Sequence, residues 1–258
     1  MGLPGAPRPD LIHIDRRQKS HLGLLPKTFA VAERFAAAPS PRRFARLRGE
    51  PWDGTVFSAG HFHVVPPEIA AVEVAIYEPF TLALQVLDML LRTHTPFRVT
   101  RQRLLDVIDA WPVRSQARLA RRTVMLADAR SGSAMESLCR AIFLLYGFEP
   151  PDIQAEFSDS QGSMYVDFYW ASIRLVIEYD GQGKWMDPRL DTGRAQWDRI
   201  HRHNERHDRL LAQPGVDKVV HLVSEDLRDI NTFVLRMTSL GIPRDPRRAI
   251  HHPRGLAA

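Results

Sequence analysis

A single cysteine, Cys139, in 258 residues leaves no partner for an internal disulfide and no Cys-rich zinc site. No apolar run approaches the roughly 20 residues that a membrane-spanning helix needs. The opening MGLPGAPRPD has none of the apolar core of a signal peptide. The myristoylation pattern fails at Ala6, where Ser or Thr is required. No convincing Ser-His-Asp arrangement or reactive-cysteine pattern stands out either. These absences lead to the expectation of a cytoplasmic protein with no membrane partner.

Acid is scarce in the first half. The formal net charge is +5. Residues 1–130 hold 19 Lys and Arg against 12 Asp and Glu, whereas residues 131–258 hold 16 against 18. A basic half beside an acidic one suits a nucleic-acid partner held by the first and acted on by the second. Length and ordinary hydrophobic content fit one large domain or two small ones. Ser131-Gly132 marks the expected boundary, which gives a basic, mainly helical region over 1–130, a second domain over 131–242 and a mobile basic tail over 243–258.

The first region reads as a disordered Pro/Gly-rich start, a short strand over 11–14, a helix over 24–38 and an arginine-rich loop over 39–50. A strand over 55–65 carries His61 and His63 on one face, with no third ligand nearby. Helices follow over Phe80–Arg92, over Arg101–Trp111 behind a Thr100 cap and before Pro112, and over Arg114–Ala129. On the last, Arg114, Arg118, Arg121 and Arg122 fall at i, i+4, i+7 and i+8, a basic stripe that suits phosphate contact or a solvated face. No helix-turn-helix stands out.

In the second half, Ser133 opens a helix with Glu136 three residues on, a capping-box spacing. Its apolar stripe includes Cys139, which reads as a core residue. A strand over 153–157 carries Gln154. The stretch Met164–Lys184, MYVDFYWASIRLVIEYDGQGK, then reads as a hairpin: Met164–Trp170, a two-residue loop at Ala171-Ser172, and Ile173–Tyr179. That register places Trp170, Phe168, Val166, Ile173, Leu175 and Ile177 on one face. Asp167 and Glu178 become diagonal neighbours on the other, roughly 7–8 Å apart, with Asp180 just beyond. A divalent cation bridging these acids is one reading, and pairing of Asp167 with Arg174 is the plainer one. A helix over 194–212 bears His201, His203 and His207. His203 and His207 lie one turn apart, but a zinc site needs a third ligand, so a polar face is the expectation. Arg202 and Arg206 on that helix could meet phosphate. A fourth strand over 218–223 and a helix over 225–240 complete the chain.

An acid on one strand followed by Glu-x-Asp-Gly at the end of the next resembles the PD-(D/E)xK, restriction-endonuclease-like nuclease superfamily. More closely, residues 131–227 resemble the very-short-patch-repair-endonuclease-like domain that follows AbiEi-like regions in actinobacterial proteins. The likeness rests on S-x-x-E-S-x-x-R (Ser133, Glu136, Ser137, Arg140), Pro-x-x-Gln (Pro151, Gln154), V-D-F (Val166, Asp167, Phe168), E-Y-D-G-x-x-K (Glu178, Asp180, Lys184) and E-R-x-x-x-L (Glu205, Arg206, Leu210). Asp180 stands where the superfamily's third strand usually ends in Lys. Lys184, four residues on, stands where many members of this branch carry His or Lys.

The resemblance implies an α/β (α+β) fold: a small mixed sheet flanked by helices, preceded by a mostly helical region. It implies Mg2+ or Mn2+ held by Asp167, Glu178 and Asp180, with Lys184, Glu136 and Gln154 completing the catalytic set. By its local chemistry Glu136 is equally a helix cap and Gln154 equally a plain strand residue. The expected activity is metal-dependent endonuclease cleavage of DNA, with RNA open, in phage defence or repair. The alternative is an inactive DNA-binding regulator or toxin–antitoxin component that keeps the nuclease fold. Double-strand cutting would call for a homodimer.

Overall fold

The computed structural model describes residues 57–59, 62–64, 66–93, 99–180, 193–253 and 255, with backbone alone for 57–59, 62–64, 193–196, 198 and 199. The segments 1–10, 11–14, 24–38 and 39–50 lie outside these residues, as do His61 and Lys184. The chain divides into two units, Met1–Ala129 and Arg130–Leu256. Among the described residues it is an α/β protein of seven α-helices, a two-stranded ladder and a four-stranded mixed sheet, with the large sheet confined to the second unit.

In the first unit the expected single strand over 55–65 is instead two short strands. β1 (Phe57–Ala59) and β2 (Phe62–Val64) pair antiparallel, so each supplies the other's backbone partners. Four helices follow: α1 (Pro67–Tyr77), α2 (Phe80–Leu91), α3 (Arg101–Asp109) and α4 (Arg114–Leu126). Pro67 starts α1 at a position where its missing N–H costs nothing. Ile69 and Ala71–Ile76 are all buried, because α1 packs against the other three helices. The Thr100 hydroxyl accepts the Arg103 N–H at 3.2 Å, the expected cap. The Arg101 guanidinium reaches the end of α4, donating to the carbonyls of Val124 and Ala127, where unpaired carbonyls favour a cation.

In the second unit α5 (Ala134–Tyr146) opens at Ser133, whose hydroxyl accepts the Glu136 N–H at 3.1 Å. Strands β3 (Asp152–Asp159), β4 (Gly162–Trp170) and β5 (Leu175–Tyr179) form an antiparallel meander. After α6 (Gly193–Leu211), β6 (Lys218–Leu222) joins β5 in parallel, giving the order β3-β4-β5-β6. A 3-10 turn over Ser224–Leu227 precedes α7 (Ile230–Ser239), which starts later than expected because Asp229 caps it through the N–H groups of Asn231 and Thr232.

One apolar layer joins α5 and α7 to the sheet through Phe143, Phe168, Trp170, Leu175, Ile177 and Phe233. Phe143 stands edge-on to Phe168 and Trp170, with centroids 5.5 and 5.3 Å away. A smaller layer joins Leu210 of α6 to Ala155, Met164, Val166, Val176 and Val216. Burial of each large side chain is worth about 1.5–3 kcal/mol.

The β4–β5 loop is longer than the sequence suggests. Ala171–Ile173 forms a 3-10 turn, and Arg174 takes a left-handed conformation, φ 50°. Trp170 therefore faces Leu175 and Phe168 faces Ile177. The same register carried one step on sets Asp167 level with Glu178 instead of diagonal to it. Arg174 is committed elsewhere, 2.9 Å from Asp217, which removes it as the partner of Asp167.

The sheet does not alternate cleanly. Ile153 and Phe168 pair and belong to the first apolar layer, while Ala155 and Val166 pair two residues away and belong to the second. Residues two apart on a regular strand share a face. The fault lies between them at Gln154, whose φ is 54°, and at Asp167 across from it. Val166 thus leaves the apolar face expected for it.

Residues 243–250 are not a mobile tail. Glu149 N–H donates to the Pro243 carbonyl at 2.7 Å, Asp245 N–H to Gly147 at 2.9 Å and Ile250 N–H to Leu144 at 3.0 Å. Ile250 is buried. This docking depends on Gly147, the left-handed cap of α5 at φ 72°. A Cβ there would sit 2.3 Å from the Asp245 carbonyl oxygen. Gly147→Ala is expected to destabilise the second unit by at least about 2 kcal/mol, from left-handed strain plus the clash. Urea unfolding checks it, and an unchanged midpoint would contradict this account of the docking.

Candidate functional site

The carboxyl-terminal end of β5, the amino-terminal turn of α5 and the adjoining parts of β3, β4 and α6 carry Glu136, Gln154, Asp167, Glu178 and Arg206, with Asp180 just beyond β5. The Ser133 cap frees the Glu136 side chain to turn toward the sheet. Its Oε2 accepts the Gly132 N–H at 2.6 Å and the Gln154 amide at 3.3 Å. This is not the reciprocal capping box, in which the glutamate would accept the N–H of Ser133 itself. A Cβ on Gly132 would lie 3.1 Å from both Glu136 oxygens, a tight contact that the glycine avoids.

Gln154 also donates to Asp167 Oδ1 at 3.2 Å. One amide nitrogen with two hydrogens therefore separates two carboxylates, which its oxygen could not do. The other Asp167 oxygen accepts the Tyr179 N–H at 2.7 Å, in place of a backbone carbonyl of β4. Burial pushes the Asp167 carboxyl up to about 6, helped by the charge of Glu136 and, more weakly, of Glu178, and opposed by the Tyr179 and Gln154 hydrogen bonds.

Glu178 is buried on the same side. Arg206 of α6 donates to its Oε1 from Nε at 3.1 Å and from Nη2 at 2.6 Å, and to the Tyr165 carbonyl at 2.6 Å. Expected as a phosphate contact, Arg206 is turned inward and holds α6 to β4 and β5. A second clamp, Arg209 to Asp159 through two bonds of 2.7 Å, fixes the far end of the helix. Arg202 lies on the exposed part of α6.

Asp180 points to histidines. Its Oδ2 lies 2.9 Å from His221 Nδ1 and 3.9 Å from His203 Nδ1. Burial lowers the His203 pKa, with His221 adding to the effect and Asp180 opposing it. His207 Nδ1 meets His221 Nε2 at 3.0 Å. Among the described residues, Asp180, His203 and His221 form a group of three whose ligand atoms lie within 4.8 Å of one another, and Asp167, Glu178 and Asp180 do not. The sequence signal for this cluster was the His203–His207 spacing, which lacked a third partner until β6 placed His221 beside Glu178 in the parallel ladder.

Cys139 is fully buried and its thiol pushed well up by burial, so it is a core residue and no nucleophile. Of the basic stripe on α4, Arg114, Arg118 and Arg122 are exposed, while Arg121 pairs with Asp109.

No protein-family model matches the chain, and no solved structure does. Two uncharacterized proteins of Mycobacterium tuberculosis, from strains CDC 1551 / Oshkosh and H37Rv, are each 34% identical over 115 residues. The match takes in 44% of this chain and 41% of each relative, so the chain spans well under half the length of the curated relatives it matches.

The Asp167 shift has a sign that can be measured. Its carboxyl binds a proton more tightly folded than unfolded, so the favourable contribution is complete below the unfolded value near 4. It is lost as pH rises through about 6. The cost at pH 7 is on the order of 2–3 kcal/mol. In Asp167→Asn the fall in stability between pH 4.5 and 7 should flatten, read from urea midpoints. Parallel pH profiles for the two proteins would assign the titration to another group.

Proposed function

We propose that the second unit is a metal-dependent endonuclease that hydrolyses phosphodiester bonds in DNA. The observation that supports it best is the gathering of Glu136, Asp167 and Glu178 at one end of a buried sheet, with Arg206 the basic partner of Glu178. Burying an ionised carboxylate is unfavourable unless it is paired or binds a cation. Gln154 is held in a left-handed conformation to serve this cluster, at a cost of roughly 1–2 kcal/mol. Structural sites seldom accumulate such costs, and functional ones do.

The donor set fits the implied group. Asp167 and Glu178 offer oxygen ligands, which Mg2+ or Mn2+ prefers. Both Arg206 bonds to Glu178 go to Oε1, and each carboxylate oxygen carries two lone pairs. A bound magnesium ion would supply an acidified water and neutralise charge at the phosphate. Glu136 and Gln154 then keep Asp167 in place: the amide fixes Oδ1, and the Tyr179 N–H fixes Oδ2. Arg206 sets the rotamer of Glu178 and keeps α6 against the sheet. Arg202, exposed on the same helix, and Arg114, Arg118 and Arg122 of the first unit supply the expected phosphate contacts, with little sequence preference. Asp180 serves here only at the margin, because its side chain is directed to His221.

A second reading is favoured by the Arg206–Glu178 pair and by Asp180 at the usual lysine position: an inactive DNA-binding regulator on the same fold. Supercoiled DNA incubated with magnesium or manganese separates the two. Metal-dependent nicking by the wild type, reduced at least about 100-fold in Asp167→Ala and in Glu178→Ala, is the expected result. No cleavage, together with DNA binding that weakens steeply with salt, would move the assignment to the regulator.

A further inference from the structure

The acidic cluster leaves the histidines unexplained. Two of them reach Asp180 from different elements, His203 from α6 and His221 from β6, and His207 of α6 meets His221. We propose that Asp180, His203 and His221 form a second metal site, selective for a late first-row divalent ion of the zinc class. It does not rest on the nuclease reading, since Asp167 and Glu178 take no part in it.

The chemistry of the donors sets the class of ion. Two imidazoles and one carboxylate suit zinc and its neighbours, whereas magnesium prefers oxygen alone. In a tetrahedral zinc site, bonds of about 2.0–2.1 Å put ligand atoms about 3.3 Å apart. The two distances from Asp180 Oδ2, 2.9 Å to His221 and 3.9 Å to His203, straddle that value. Small rotamer adjustments would bring the three atoms into place. The side chains are shielded, with 17% of Asp180, 27% of His203 and 19% of His221 exposed.

A second observation concerns the tautomer. His221 Nδ1 is buried and has no aligned hydrogen bond, although Asp180 Oδ2 is 2.9 Å away. Its Nε2 faces His207 Nδ1 at 3.0 Å. If Nε2 carries the proton and donates to His207, Nδ1 presents a lone pair toward a carboxylate oxygen. Two lone pairs at that separation repel, and a cation between them removes the repulsion. Metal-bound histidines characteristically donate their second ring N–H to a fixed acceptor, the part that His207 would play. Three protein ligands leave a fourth position for water or a ligand oxygen, the open form of a zinc site. The competing occupant is a proton, which would make His221 an imidazolium paired with Asp180.

Cobalt(II) distinguishes them. The full chain, free of any purification tag and stripped with chelator, is titrated with cobalt chloride while visible d–d absorption is followed. The expected result is one equivalent bound, with a band that zinc chloride displaces and a hundredfold excess of magnesium chloride does not. Affinity should fall at least tenfold in His221→Ala, in Asp180→Ala and in His203→Gln, and remain within twofold in His201→Gln, an exposed histidine of the same helix. Circular dichroism of the metal-free proteins controls for folding, and His203→Gln on α6 serves if His221→Ala does not fold. Absence of a band, retention of binding in a folded His203→Gln, or loss of binding in His201→Gln would each overturn the proposal.

Discussion

Asp167 accepts a backbone N–H that a regular β4–β5 ladder would direct to a carbonyl, and the architecture around the site depends on that substitution. Because its Oδ2 takes the Tyr179 N–H, β4 and β5 can separate past the Phe168–Ile177 pair without leaving a buried donor unsatisfied. The opening lets Arg206 enter from α6 and reach both Glu178 and the Tyr165 carbonyl. On the other side, Gln154 absorbs the matching irregularity in β3 through its left-handed backbone, and its amide returns to Asp167. The fault in strand alternation and the site are therefore one feature. It also divides the core, with the aromatic layer under α5 and α7 on one side and the aliphatic layer under α6 on the other.

What the sequence revealed and what it hid follow from this. The strands of the antiparallel meander, the Thr100 and Ser133 caps and the strand character of β6 rest on local patterns, period-two runs and turn residues, that survive folding unchanged. The parallel direction of β6 comes from the structure alone. The register of β4 and β5 did not survive, because a two-residue loop at Ala171-Ser172 and the actual four-residue connection ending at Arg174 look alike in composition. Helix α1 was invisible for another reason. A helix buried all round has no polar face, so its residues carry no 3.6-residue period, and Val72, Val74 and Ile76 read as β-formers. Glu136, Gln154 and Asp167 could be picked out as separate residues, but their union through one amide could not. Arg206 reads as a surface base, because helical spacing alone does not tell which way a guanidinium turns. His221 carries no signal in the sequence, since a lone histidine on a strand gains meaning only from its neighbours in space.

Electrostatically, the end of the sheet sorts its charges by partner. Glu178 is neutralised by a guanidinium, Asp180 faces imidazoles, and Asp167 and Glu136 share a neutral amide. Burial raises the Asp167 carboxyl, which fits a group given hydrogen bonds but no countercharge. The two apolar layers compensate for that unfavourable burial.

The parallel pairing of β5 with β6 has a consequence in time as well as in space. The meander β3–β4–β5 joins neighbours through short turns, while β6 must close a loop of about 38 residues before it finds β5. Long-range pairings of this kind form late. Loop closure thus favours pairing of the strands that carry Asp167 and Glu178 over that of β5 with β6, and Asp180 can meet His221 only with β6 in place. Asp167 and Glu178 belong to the short-range hairpin, and the histidine cluster to the long-range pairing.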